Sequence, residues 1–424
     1  MGQKLRVAVG SSALELIRGV RTGDYEEARF HLGHADVAEA RAWLPSQVAE
    51  HGDDACATDD AVGPCDVGVL GRLRSAPKGL GARDAAAPET LEDIGFPFDE
   101  VVANRGIPPW RREALGRLTA EAPLELGIFS RSTRQSRKTL RTRTLDRHLP
   151  ASSLIELDPS FYVASPELVC LQLADRLDAP RLALVIMEFT GSWSEVPPGV
   201  PSGSVVNRFG LAPVTTTHRI GELARGVRYL RGRNTLDRAL SMALPGSASR
   251  PEAVVALMMS TPVEHGGYGM GTPLLNPRIE PPAQDRDHVT QGSYYPDIFF
   301  QECFVDLEYD SLEFHFDLRP LIVTASDGAA RDASNLDLVL AAHASRMIDD
   351  RRRARDLQAL GVHVIPVTNK DLASRRSLDQ VVWAFARHLA RRDDMRGMSL
   401  ETYLGELDRP EYRDARDALF EAVA

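Results

Sequence analysis

The chain is short of cysteine and of lysine. Its 424 residues include four cysteines, and no two of them have the Cys-x-x-Cys spacing of a zinc ribbon or a redox site. Their wide separation also gives no sign of a disulfide-rich scaffold. Only four of the 50 basic residues are lysine, so arginine carries nearly all the positive charge. A reaction that depends on a lysine therefore has few residues to draw on.

Long hydrophobic runs and an excess of positive charge are also absent. No apolar run approaches the roughly 18 residues that a membrane-spanning helix needs, and the N-terminus lacks a signal-peptide pattern. Acidic residues outnumber basic ones by 60 to 50, which gives a formal net charge of −10. We therefore expect a cytoplasmic protein without membrane contact, in which nucleic-acid binding would rely on local basic patches.

What the chain does have is the composition of an ordinary globular protein. Hydrophobic residues make up 43% and charged residues 26% of its 424 positions, enough for two or three domains. The expected class is α/β (α+β), with a mixed sheet flanked by helices in the C-terminal part. The predicted segments are an N-terminal region at 1–120 with a flexible insertion at about 50–92, a middle domain at 121–245, a third domain at 246–395 and a helical tail at 396–424.

Hydrophobic periodicity and capping signals predict the main elements. The predicted strands are Leu124–Phe129, Leu182–Phe189 and Val362–Thr368. The predicted helices are Ser12–Arg18, Pro166–Leu177, Ile220–Leu244, Ser249–Met259, Asp349–Leu360 and Ser377–Arg391. A Pro/Gly/Ser-rich connection is expected at 193–213, and an inserted excursion at 316–345.

The segment Tyr294–Asp310 has the pattern of a β-hairpin, with two runs of aromatic and β-branched residues around a short polar turn. Three acidic residues of the second run share one face of the strand: Asp306, Glu308 and Asp310. A turn at Gln301–Phe304 would set Asp297 opposite Glu308, and a turn at residues 301–302 would set it opposite Asp306. Carboxylates gathered on one face repel each other unless a cation lies among them. A divalent metal ion is the usual candidate.

These residues resemble the PD-(D/E)XK signature of the restriction-endonuclease-like superfamily. Pro296-Asp297 is followed, after ten positions, by Glu308-Tyr-Asp310. One branch of this superfamily, related to the very-short-patch repair endonuclease, is resembled by the pattern of Glu308 and Asp310 with His315 close behind. The later stretch Asp350-x-x-Arg353-x-x-x-Leu357-x-x-x-Gly361-Val-x-Val resembles the same branch. The resemblance covers about 246–392. More loosely, 125–245 resembles a region of actinobacterial AbiEi-type antitoxin relatives.

The resemblance implies a metal-dependent phosphodiesterase that uses Mg²⁺ or Mn²⁺. In such an enzyme Asp297 and Glu308 would hold the metal, and Glu252 would complete the ligand set directly or through water. His315 would act as a general base or a ligand. The implied catalytic residues are Asp297, Glu308, Asp310 and His315, and the implied metal ligands are Glu252, Asp297 and Glu308.

Each of these residues also has a structural interpretation. Glu252 closes the capping box Ser249-Arg-Pro-Glu252 and can serve its own helix alone. Asp310 can end its strand as a turn residue, and His315 can be a hydrogen-bonded structural residue. Asp310 also stands where the signature has a lysine. Arg353 can supply the positive charge there, but a guanidinium is a poor proton shuttle.

A basic run indicates where phosphates could be contacted. Residues 131–147 include seven basic side chains and one acid. The predicted nucleic-acid-binding residues are Arg131, Arg134, Arg137, Lys138, Arg141, Arg143 and Arg353. The alternative is a solvated arginine-rich face. The arginines of a second cluster could line a DNA groove, and they are also spaced as solvent-facing positions of a helix: Arg346, Arg351, Arg352, Arg353 and Arg355.

Two functions follow from these patterns. The first is a Mg²⁺-dependent DNA endonuclease that acts in defence, repair or mobile-element biology. The alternative is a catalytically inactive nuclease-fold protein that binds DNA or acts like an antitoxin. The expected partners are DNA and, in the antitoxin-like case, a protein; a homodimer is compatible with either.

Overall fold

The computed structural model describes residues 4–22, 89–103, 123–130, 134, 136–158, 161–195, 207–227, 230–310, 348–391 and 399–424. Helices and mixed sheets alternate along the described chain, which confirms the predicted α/β class. The chain divides into two compact units, whose described residues run to Ala253 and from Val254 onward. No helix in the described ranges is both long and apolar enough to cross a membrane.

One six-stranded sheet organises the first unit. Its strands are β1 (Arg6–Ala8), β2 (Leu124–Ile128), β3 (Ser136–Arg137), β4 (Leu140–Thr144), β5 (Leu154–Asp158) and β6 (Phe161–Ala164). The strand order is β3-β4-β2-β1-β6-β5, with β1 parallel to β6 and antiparallel to β2. β1 lies between β2 and β6, which both belong to the predicted middle domain at 121–245. This sheet therefore includes a strand from the predicted N-terminal region at 1–120.

The helices of the first unit begin at recognisable caps. They are α1 (Gly10–Thr22), α2 (Pro166–Leu173), α3 (Ala179–Thr190), α4 (Thr217–Gly226) and α5 (Arg233–Met242). At α2 the Ser165 hydroxyl accepts a hydrogen bond from the Leu168 N–H, and Pro166 takes the first helical position, as the sequence predicted. The predicted helix at 220–244 is instead two helices, and Gly232 adopts a φ of 83° at the start of α5.

The predicted strand at Leu182–Phe189 is wrong, because these residues lie within α3. The Asp178 side chain caps the helix by accepting from the Arg181 N–H, and a proline follows in the first turn. Nearly the whole helix is buried. An apolar run that is buried on all sides has no period that separates a helix from a strand, so the cap was the deciding signal. The predicted 193–213 connection likewise contains an antiparallel pair, β7 (Trp193–Glu195) and β8 (Asn207–Phe209).

Two arginines of α1 tie it to the end of α3. The Arg18 guanidinium donates to both carboxylate oxygens of Glu188, at 2.6 and 3.0 Å, and Glu188 is 1% exposed. The same carboxylate accepts from the Ser194 hydroxyl at 2.7 Å. Arg21 is buried and donates to the carbonyls of Glu188 and Gly191. Because carbonyls at a helix end carry partial negative charge, this cation stabilises the C-terminus of α3.

The second unit is built on a four-stranded mixed sheet. Its strands, in the order β12-β11-β10-β9, are β9 (Leu274–Leu275), β10 (Ile298–Phe300), β11 (Val305–Asp310) and β12 (His363–Thr368). β11 is antiparallel to β10 and parallel to β12. The helices from α6 onward are α6 (Arg250–Ser260), α7 (348–359), α8 (Arg375–Arg391), α9 (Leu400–Leu407) and α10 (Pro410–Val423).

Helices cover both faces of this sheet. On one face Phe299 belongs to a buried cluster with Leu357 and Leu360, which lie on and just after α7. On the other face the Phe300 ring lies 4.8 Å from the Phe385 ring of α8. The predicted mixed sheet flanked by helices is therefore present in the C-terminal part of the chain. Its α7 face carries the acidic residues.

Candidate functional site

The acidic hairpin forms with one of the two registers that the sequence left open. Ile298 pairs with Leu307 and Phe300 with Val305, so the turn is Gln301–Phe304 and the same register sets Asp297 opposite Glu308. Phe304 adopts a φ of 55°, a left-handed conformation that closes the turn. The Asp297 carboxylate accepts a hydrogen bond from the Tyr309 N–H at 2.8 Å, which holds it against the neighbouring strand.

Burial differs along the three acidic positions of β11. Asp306 is fully buried, and its side chain accepts from the Ile298 N–H at 3.3 Å. Glu308 is half-buried, and Asp310 is exposed at the end of the strand. The environment of Asp310 fits the alternative interpretation of a strand-ending residue. The predicted catalytic His315 and the basic Arg131 both lie outside the described residues.

A guanidinium lies among these carboxylates where the sequence predicted a metal ion. Arg353 of α7 makes a two-pronged ion pair with Glu308, at 2.7 and 3.0 Å, and its charge lies 3.8 Å from Asp297 Oδ1. It also donates to the Tyr295 carbonyl. The Arg353 side chain is 23% exposed. The predicted solvent-facing position of Arg353 is therefore wrong. It precedes Leu357 by four positions and Leu360 by seven, which places all three on one helix face.

The charged groups of this site shift one another's pKa values. Burial, together with the charges of Asp297 and Asp306, raises the pKa of Glu308 well above its ordinary value, although Arg353 opposes the shift. Burial disfavours the Arg353 charge, yet the carboxylates more than offset this and raise the pKa of Arg353. The cluster thus holds one guanidinium among carboxyl groups that disfavour one another's charge.

A buried carboxylate of α7, that of Asp356, holds this helix against the segment that leads into the hairpin. Asp356 is 2% exposed and accepts from the Thr290 N–H and the Tyr294 hydroxyl, each at 2.9 Å. Burial disfavours its charge, but the hydrogen bonds from Thr290, Arg355 and Tyr294 hold the pKa of Asp356 at about 2. Because Asp356 follows Arg353 by one helical turn, this anchor positions the guanidinium. The sequence contains one sign of this role, because Asp356 is a charged residue next to Leu357 on the apolar side of the predicted helix. The sequence analysis did not single it out.

Glu252 is committed to the cap of its own helix. Its carboxylate accepts from the Ser249 hydroxyl at 2.7 Å and from the Ala248 N–H at 2.9 Å, while the Ser249 oxygen accepts from the Glu252 N–H. The side chain is 4% exposed. The Ser249 contacts are those of a capping box, and the carboxylate also reaches the residue before the cap, so Glu252 serves its own helix as the structural interpretation has it. Its role as a metal ligand stays a prediction.

The residues present do not fit a divalent metal ion. Across the described ranges, no group of three His, Cys, Asp or Glu side chains is arranged to hold one. The two opposed carboxylates of the hairpin have a guanidinium between them, and the pKa of Glu308 is raised well above its ordinary value. Mg²⁺ needs ionised oxygen ligands in a near-octahedral arrangement. We therefore derive no catalytic step through a metal at this site.

The basic run forms a hairpin at the edge of the other sheet. β3 and β4 pair antiparallel, and β3 is the edge strand of the first unit. The described cations of this hairpin are exposed, apart from Arg143: Arg134, Arg137, Lys138 and Arg141. Arg143 is half-buried and pairs with Asp175 at 3.1 Å. The structure therefore presents four of the predicted phosphate contacts to solvent and turns Arg143 towards an internal partner.

Comparison of the chain with protein-family models, with curated proteins and with solved structures finds no match.

Proposed function

We propose that the protein binds nucleic acid and does not hydrolyse it. In this proposal the second unit retains a restriction-endonuclease-like arrangement of its acidic hairpin but lacks the metal. The observation that carries the choice is the pairing of Arg353 with Glu308 and its closeness to Asp297. A fixed guanidinium neutralises the carboxylates that a nuclease would use for its metal. The loss of the signature lysine at Asp310 supports the same conclusion.

The exposed β3–β4 hairpin supports the binding half of the proposal. Four cations project into solvent from an edge hairpin, in a chain whose net charge is −10. Nucleic-acid affinity in such a protein must come from local patches, because the overall field repels phosphates. Neutralising phosphates releases counterions, so the affinity is expected to fall steeply with salt. An edge strand with charged side chains also resists pairing with other sheets, which is a structural use of the same residues.

The test removes the four exposed charges together. We expect a variant with Ala at 134, 137, 138 and 141 to bind duplex DNA roughly tenfold to thirtyfold more weakly than the parent at about 0.1 M salt. The slope of log affinity against log salt should become shallower by up to about 0.9 for each phosphate that the variant no longer neutralises. Fluorescence anisotropy with a labelled duplex measures both quantities.

The matched control removes four exposed arginines elsewhere: Arg231, Arg238, Arg409 and Arg413. It changes the net charge by the same amount and should retain most of the parent affinity. Equal losses in the two variants would show that net charge, and not the β3–β4 hairpin, determines binding. Parent binding that does not respond to salt would contradict the proposal.

The hairpin register favours a second candidate, a Mg²⁺-dependent DNA endonuclease. Asp297 directly precedes β10, and the register places it opposite Glu308 of the adjacent strand, as the nuclease signature requires. This candidate needs Arg353 to leave the carboxylates before any metal can bind. It predicts metal-dependent DNA cleavage that Asp297→Ala and Glu308→Ala each abolish.

A further inference from the structure

The exposed face of α8 has a composition that neither candidate function explains. One side of this helix is buried in the second unit through Leu378, Val381, Val382, Phe385, Ala386 and Leu389. The opposite side presents an exposed stripe, which we call the α8 stripe: Arg376, Gln380, Trp383, Arg387 and Arg391. Spacings of three, four and seven residues put these side chains on one surface. The α8 stripe thus places an exposed tryptophan between arginines that lie before and after it along the helix.

Trp383 is unusually open for its size. It is 46% exposed, whereas Trp193, the other tryptophan in the described ranges, is 1% exposed. The Arg387 guanidinium lies over the Trp383 ring at 5.1 Å from its centroid. A surface depression of about 410 Å³ adjoins the ring and is lined by Arg376, Asp379, Gln380 and Trp383. An indole that is open to solvent and flanked by a guanidinium is suited to stacking with another flat aromatic ring system.

The charge of the α8 stripe favours a polyanion. Among the described residues, the acid that lines this depression is Asp379, which accepts a hydrogen bond from the Tyr268 hydroxyl at 2.7 Å and pairs with Arg375, which is not part of the stripe. Its charge is therefore already compensated within the second unit. The three arginines of the stripe remain to act on a ligand. The helical rise puts Arg387 about 6 Å and Arg376 about 10 Å from Trp383 along the axis, on opposite sides of the ring.

We infer that the α8 stripe binds single-stranded nucleic acid, with one base stacked on Trp383 and flanking phosphates contacted by Arg376 and Arg387. Stacking on an aromatic side chain tolerates any base, while arginines along the same surface follow the backbone. A duplex keeps its bases inside the stack and offers no face to the indole. The inference rests on the proposed nucleic-acid binding and deepens it, because it names the strandedness of the ligand at this face.

The test compares a labelled oligothymidylate of about 16 nucleotides with a duplex of the same length, using the full chain. We expect Trp383→Ala to weaken oligothymidylate binding roughly tenfold and duplex binding less than about twofold. Trp383→Phe keeps an aromatic face and should recover most of the affinity. Oligothymidylate should also quench tryptophan fluorescence in the parent, and Trp383→Phe should lose that quenching. Ile94→Ala, which removes another exposed apolar side chain, is the control.

Several outcomes would overturn the inference. Unchanged oligothymidylate affinity in Trp383→Ala would overturn it, as would equal losses for single strand and duplex. A change in self-association on sedimentation without a change in oligothymidylate affinity would assign the stripe to a protein interface instead. If the variant with Ala at 134, 137, 138 and 141 loses duplex binding while Trp383→Ala loses nothing, stacking fails and the proposed function stands. If the parent binds neither nucleic acid, the proposed function fails and this inference fails with it.

Discussion

Replacing Arg353 with alanine is expected to lower the free energy of unfolding by about 3 kcal/mol at neutral pH. The Arg353 guanidinium lies 2.7 Å from Glu308 and 3.8 Å from Asp297, on the strand face that also buries Asp306. Without it, the carboxyl groups face one another with no cation between them. Removing one partner of a buried pair leaves an uncompensated charge, and this is more costly than losing the attraction itself.

The effect of this substitution should depend on pH. Loss of the guanidinium raises the pKa of Glu308 further, so the folded variant holds a proton that the unfolded chain releases above about pH 4.3. By linkage, parent and variant both hold this proton at low pH, so the stability of the variant relative to the parent falls only as pH rises past the already raised folded-state pKa of Glu308 in the parent, and it recovers on acidification. Urea unfolding at about pH 4 and about pH 7.5 measures the difference.

The neighbouring Arg352 supplies the control for this prediction. It lies on the same helix, is exposed, and carries the same charge. Arg352→Ala should change the free energy of unfolding by less than about 0.5 kcal/mol at either pH. An Arg353→Ala loss that is the same at both pH values would show that packing of the side chain, rather than charge compensation, accounts for it.

Replacing Glu188 with alanine is expected to destabilise the first unit by about 3 kcal/mol. The carboxylate binds Arg18 through both oxygens and also accepts from the Ser194 hydroxyl and the Glu195 N–H. Its removal deprives the guanidinium, which is 14% exposed, of the carboxylate that binds it through both oxygens, while Glu195 still lies 2.8 Å away. The ion pair between α1 and α3 is therefore broken, while the hydrogen bonds from Arg21 to backbone carbonyls do not depend on the Glu188 carboxylate. Thermal or urea unfolding followed by circular dichroism measures the loss of stability.

Two variants separate charge from shape at Glu188. Glu188→Gln keeps the size and can still accept hydrogen bonds, so we expect roughly half the loss seen with alanine. Glu222→Ala removes a carboxylate that is 55% exposed and should change stability by less than about 0.5 kcal/mol. A Glu188→Ala loss no larger than the Glu222→Ala loss would contradict the inferred role of the buried pair.

Local patterns predicted much of the fold because their physical causes are local. The Ser165-Pro166 start of α2 and the capping box of α6 depend on residues within four positions of each other. The hairpin depends on the alternation of apolar and acidic residues on either side of one turn. This is also a local cause, because both candidate turns were four residues or fewer. The strand predicted at Leu182–Phe189 failed for the opposite reason. Its burial depends on packing from all sides, which removes the periodicity that identifies a helix.

The candidate site could be predicted only in part. Asp297 and Glu308 were placed on one face from sequence alternation, and the structure has them opposite each other. The partner that changes their chemistry, Arg353, is 45 positions from Glu308 in the chain, and no local rule connects the two. Glu252, in contrast, has partners that are close in the sequence. Its pattern fitted both a metal ligand and a helix cap, and the local hydrogen bonds of the cap are present in the structure.

Binding and cleavage can be measured in one sample, which tests the proposed function without separate preparations. Labelled duplex and single-stranded DNA are incubated with the full chain and Mg²⁺ or Mn²⁺, and anisotropy and fragment length are followed together. We predict salt-sensitive binding with DNA that stays full length in the parent, in Asp297→Ala and in Glu308→Ala. Metal-dependent fragments in the parent that both substitutions abolish would contradict the proposed function and establish the acidic hairpin as a nuclease site.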